Sequence, residues 1–107
     1  MSERLKLRYQ PDLGDFQEYV KKVMEGSQQG DMVDDMLLLS EYLGRLAKAA
    51  RVRVGLSYRA GSKIPEADDA LAGLFFHTVN LANRLGIDLE VAFRSREKRQ
   101  RRRKNRE

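Results

Sequence analysis

The chain has 107 residues, 35% of them charged and 41% hydrophobic, with four Phe, four Tyr, no Trp and no Cys. That length sets a single domain as the expectation. The lack of cysteine excludes disulfides and thiolate metal sites, and fits a reducing, cytoplasmic setting. No apolar run reaches the roughly 18 residues of a membrane span, and MSERLKLRYQ lacks the apolar core of a signal peptide, so no membrane is expected among the partners. The net charge of +5 is unevenly placed. Residues 94–107, RSREKRQRRRKNRE, hold nine Lys/Arg and two Glu, which leaves twelve basic and fourteen acidic residues before them.

Residues 1–10 are polar without a clear period and read as an extended or frayed lead-in. Asp12 or Gly14 starts a first helix to about Gly26, with Leu13, Phe16, Tyr19, Val20 and Met24 on one side. SQQGD then breaks the pattern, with Asp31 placed to cap a second helix over about Met32 to Val52. There Met32, Met36, Leu39, Leu43, Leu46 and Ala50 step by 4, 3, 4, 3, 4, the spacing of a bundle seam and a surface for core packing and self-association. Residues 53–66 contain Gly55, Gly61 and Pro65 and read as a connection, in which VRVGLSY reads equally as continued helix or a short extended piece.

A third helix is expected from about Glu66 to Leu85, where Ala67, Leu71, Leu74, Thr78, Leu81 and Leu85 repeat the same steps. Gly86 stands where a left-handed cap belongs. Asp88 then caps a fourth helix with Glu90 in its first turn and Leu89, Ala92 and Phe93 along it, running into the basic tail. No strand pair or internal repeat is seen. The expected fold is all-α, with helices two and three as a central antiparallel hairpin completed by oligomerisation. The expected division is a helical domain over 1–93 and a basic helical extension or tail over 94–107.

The stretches EYLGRLAKAAR (41–51) and ALAGLFFHTVNLANRLGIDLEVAF (70–93) resemble the MazG-like, all-α nucleoside triphosphate pyrophosphohydrolases, most closely over LANRLGIDLEVAF. The likeness covers about residues 13–100. It implies a helical bundle that pairs into dimers or tetramers. It also implies Mg²⁺ held by an E-x-x-E pair on one helix and an E-x-x-D pair on the next. Carboxylates three apart share a helical face, and hard Mg²⁺ takes oxygen ligands and bridges to phosphates.

Here the chain departs from the pattern. The four ligand positions fall on Tyr42, Arg45, Ala70 and Gly73, none of which binds Mg²⁺. Glu41, Asp68 and Asp69 lie nearby but not at the required spacing. The resemblance therefore implies a degenerate, non-catalytic member without a metal or other cofactor. Such a member would act as a binding or regulatory module for a nucleotide, a nucleic acid or a protein. The alternative is an active, Mg²⁺-dependent nucleoside triphosphate pyrophosphohydrolase with a rearranged site.

Arg45 can offer its planar fork to a phosphate or pair with Glu41, Asp68 or Asp69. The second is the favoured expectation, because an unpartnered charge at an inner position is costly. Tyr42 is expected to fill the former ligand volume. Gly44 matches the family glycine and is assigned to packing of the fold, while Gly73 is expected to open space near Arg45. His77, the sole histidine, and Asn80 one turn later complete the candidate ligand-binding set with Arg45. In the tail, Arg99, Arg101, Arg102, Arg103 and Lys104 are the candidate nucleic-acid contacts, suited to phosphate backbones and without aromatic residues for base stacking.

Overall fold

The computed structural model describes residues 5–26, 30–54 and 66–106. They form four α-helices and, among the described residues, no strand: α1 Leu13–Glu25, α2 Met32–Arg53, α3 Ala67–Leu85 and α4 Leu89–Arg106. No helix among them is long and apolar enough to cross a membrane. SQQ and most of the 53–66 connection, including the rest of VRVGLSY, lie outside the described residues.

The helix starts follow from local chemistry. Asp12 caps α1 by accepting from the Asp15 backbone N–H at 2.7 Å, while the Asp15 side chain accepts from the Asp12 N–H at 3.0 Å. Asp31 and Asp34 repeat this reciprocal box at the start of α2, both bonds at 3.0 Å. Each box satisfies two of the N–H groups that a helix end leaves without a partner. α3 stops in a Schellman motif. Gly86 adopts φ +68°, the Ile87 N–H reaches Ala82 O at 2.9 Å, and the Gly86 N–H reaches Asn83 O at 3.2 Å. Asp88 caps α4 immediately afterwards, accepting from the Val91 N–H at 3.1 Å.

The chain divides into two compact units, Met1–Gln28 with Val79–Glu107, and Gln29–Thr78. In the first, α1 packs on α4, and Val20, Val79 and Ala82 are buried. Its tie is Gln17. The Gln17 amide nitrogen donates to Asn83 Oδ1 at 3.0 Å and to Ile87 O at 2.9 Å. Its side-chain oxygen accepts from the Leu89 N–H at 2.9 Å, and its backbone O accepts from the Asn83 amide at 3.0 Å. One side chain thus fixes α1 against the end of α3 and the start of α4. Before α1, Arg8 pairs with Asp12 and Asp15, and residues 5–8 border a groove of about 340 Å³ closed on its other side by Asp15, Glu18, Tyr19 and Lys22.

In the second unit, Ala70 and Asp35 are buried. The stripe expected as a packed seam on α2 is largely uncovered: Met36 is 50% and Leu43 58% exposed, Met32 and Ala50 are exposed, and only Leu39 and Leu46 are half-buried. The inner face of α2 is instead rotated toward Asp35, Tyr42 and Ala49. Among the described residues, a Cβ added at Gly44 meets nothing within 4 Å.

Candidate functional site

The positions singled out on α2 and the first half of α3 do come together. The ring of Tyr42 lies against Gly73, so close that a Cβ built on Gly73 would stand 2.5 Å from Tyr42 Cδ1 and 2.7 Å from Cζ. The room Gly73 makes is filled by Tyr42 rather than opened beside Arg45. Tyr42 also stacks on His77, with centroids 5.4 Å apart and planes inclined by 28°. The Arg45 guanidinium lies 5.0 Å from the Tyr42 ring centroid, and Phe76 meets His77 edge-on at 5.2 Å. Arg45 Nη2 donates to Glu41 Oε1 at 2.5 Å, one turn earlier on the same helix. Its charge is therefore matched locally, at a position about half exposed. His77 Nδ1 is buried and has no hydrogen-bond partner among the described residues.

Ala70 is 1% exposed, one turn before Gly73, and Asn80 is 4% exposed, one turn after His77. Asp68 and Asp69 are exposed at the start of α3, where Asp68 Oδ1 accepts from the Asp69 N–H at 2.8 Å. These residues do not fit Mg²⁺. Tyr42, Arg45, Ala70 and Gly73 present an aromatic ring, a guanidinium, a methyl and a hydrogen, none of them an oxygen ligand suited to Mg²⁺. Among the described residues, no group of three or more Asp, Glu or His lies where it could hold a metal ion.

The second candidate surface is α4. It continues as one helix to Arg106, so Arg99, Arg101, Arg102, Arg103 and Lys104 stand on regular backbone, all of them exposed. Two cations are engaged along the helix: Arg94 with Glu90 at 2.9 Å and Arg101 with Glu97 at 3.2 Å. Arg96, Lys98, Arg99, Arg102, Arg103 and Lys104 have no acidic partner among the described residues. At about 1.5 Å rise per residue, these six project over roughly 12 Å of helix, around more than one face.

Sequence reasoning missed Gln17, Asp35 and the pairing of Arg8 with Asp15. Asp35 carried a signal: it stands seven residues before Tyr42, on the same helical face. Comparisons with protein-family models, with curated proteins and with solved structures find no match to this chain.

Proposed function

We propose that this chain is a non-catalytic, self-associating binding protein that holds the phosphate backbone of a nucleic acid along α4, on a helical scaffold of MazG-like descent. The observation that carries the reading is the exposed run of six cations on one continuous helix, without acidic partners among the described residues. Arginine and lysine on such a surface gain affinity by displacing counterions from phosphates, without reading bases. The absence of an aromatic residue between Arg94 and Arg106 agrees with backbone rather than base contacts. The descent rests on the resemblance of residues 41–51 and 70–93. The non-catalytic reading is supported by the contact of Tyr42 with Gly73 and by the pairing of Arg45 with Glu41. These fill and neutralise the place where the family pattern would gather carboxylates.

The test is fluorescence anisotropy of a labelled duplex with the full chain and with a variant carrying Arg99→Gln, Arg102→Gln, Arg103→Gln and Lys104→Gln. Glutamine keeps helix propensity while removing charge. The variant should bind at least about tenfold more weakly on several unrelated sequences, because each cation removed from a phosphate lowers the counterion-release contribution. Equal binding by the variant would refute the assignment to α4. Metal-dependent release of pyrophosphate from nucleoside triphosphates by the same preparation would refute the non-catalytic reading.

A further inference from the structure

Two features of α4 go beyond its number of cations. The first is how freely it stands. The helix is tied to α1 at its start, where the Leu89 N–H donates to the Gln17 side chain, and residues 91–105 are then exposed without a break. At about 1.5 Å per residue, roughly 20 Å of helix is open on all sides. The second is the side from which the charges point. At about 100° per residue, Lys98 and Arg102 form one row and Arg99 and Arg103 another, the two rows roughly 100° apart around the axis. Arg96 stands at the edge of this face. Glu90 and Glu97 fall on the opposite side, where they hold Arg94 and Arg101, and Lys104 lies with them. Lys98 with Arg102, and Arg99 with Arg103, are like charges at i,i+4, which destabilise a helix standing alone. An anionic partner that touches both rows at once offsets that repulsion.

We infer that α4 enters the major groove of B-form DNA, with Lys98 and Arg102 on the phosphates of one strand and Arg99 and Arg103 on those of the other. This groove is about 12 Å wide and admits a helix, whose diameter with side chains is about 10–12 Å. Duplex RNA is a poorer partner, because its A-form major groove is deep and narrow. The inference rests on the nucleic-acid reading above and narrows it from any phosphate backbone to duplex DNA.

Fluorescence anisotropy with DNA and RNA duplexes of one sequence and one length is the first test. The full chain should bind the DNA at least about tenfold more tightly than the RNA at the same salt. Two double variants then probe the rows, Lys98→Gln with Arg102→Gln and Arg99→Gln with Arg103→Gln, with circular dichroism to show that each folds. Each should flatten the slope of log K against log salt on the DNA by about 2, since each loses two phosphate contacts.

Dimethyl sulfate reads the groove, since guanine N7 faces the major groove and adenine N3 the minor one. Saturating protein should protect N7 and leave N3 reactive. Equal affinity for the two duplexes, a slope altered by only one of the two double variants, or N7 as reactive as in free DNA would overturn the inference and leave backbone binding in place. Failure to bind either duplex would overturn both.

Discussion

The contact between Tyr42 and Gly73 makes a prediction whose sign reverses with background. In an ordinary helix interior, replacing Gly by Ala stabilises by about 1 kcal/mol. At Gly73 the added methyl would stand 2.5 Å from Tyr42 Cδ1 and 2.7 Å from Cζ, well inside van der Waals contact. The ring has little freedom to retreat, because it also stacks on His77 and carries the Arg45 guanidinium. Overpacking of this kind costs typically 1–3 kcal/mol, about 2 as a central value. Gly73→Ala should therefore lose about 1 kcal/mol net in the wild-type chain.

With Tyr42→Ala already in place the clash is gone, and Gly73→Ala should gain about 1 kcal/mol. The coupling across the double-mutant cycle is then about 2 kcal/mol. Urea unfolding followed by circular dichroism at one fixed chain concentration measures it, since association would otherwise shift apparent stability. If Gly73→Ala stabilises both backgrounds equally, the ring does not fill this space and the account of the Tyr42–Gly73 contact fails.

Two further predictions concern the unit that contains α1 and α4. Gln17→Ala removes three side-chain hydrogen bonds, to Asn83, Ile87 O and the Leu89 N–H, at a partly buried position. At about 1 kcal/mol each, the loss should be roughly 3 kcal/mol in chemical unfolding, and a loss below about 0.5 kcal/mol would show that the tie is not made in solution. Asp15 is held below the ordinary carboxylate range, first by the Asp12 backbone N–H and then by the Arg8 side chain, and Arg8 is raised in return. A lowered folded-state value means that Asp15 adds stability above its unfolded value near about pH 4, and that this is lost as pH falls through the lowered value. An NMR titration of the Asp15 carboxyl should show the depression, and Arg8→Gln should raise the titration midpoint. An unchanged midpoint would remove Arg8 as a cause.

Much of the fold was written in local sequence. Asp12, Asp31, Gly86 and Asp88 mark helix ends by chemistry that acts within a few residues, and the structure places each helix within a residue or two of that expectation. The 4-3-4-3-4 steps on α2 correctly implied a helix, but such a period does not say which face the rest of the chain covers. Met36 and Leu43 turned out exposed because the inward side belongs to Asp35, Tyr42 and Ala49. Gln17 was invisible for a different reason. Its partners lie 66 to 72 residues away, and a polar residue on an amphipathic helix reads as solvent-facing until the tertiary neighbours are known. At the candidate site, the sequence singled out Tyr42, Arg45, Ala70 and Gly73. It did not show that Tyr42 and Gly73 are fitted to each other, which depends on how α2 and α3 meet.

The proposed function is that α4 binds phosphate backbones through cations with no acidic partner among the described residues, and the salt dependence of binding tests it most directly. Affinity for a labelled duplex should be measured by anisotropy across a series of salt concentrations. If about five of the six cations on α4 each displace a counterion, log K should fall against log salt with a slope of about −4 to −5, nearly the same for unrelated duplex sequences. A slope flatter than about −1, or no binding even at low salt near about 50 mM, would contradict the account and leave α4 as a solvated helix end.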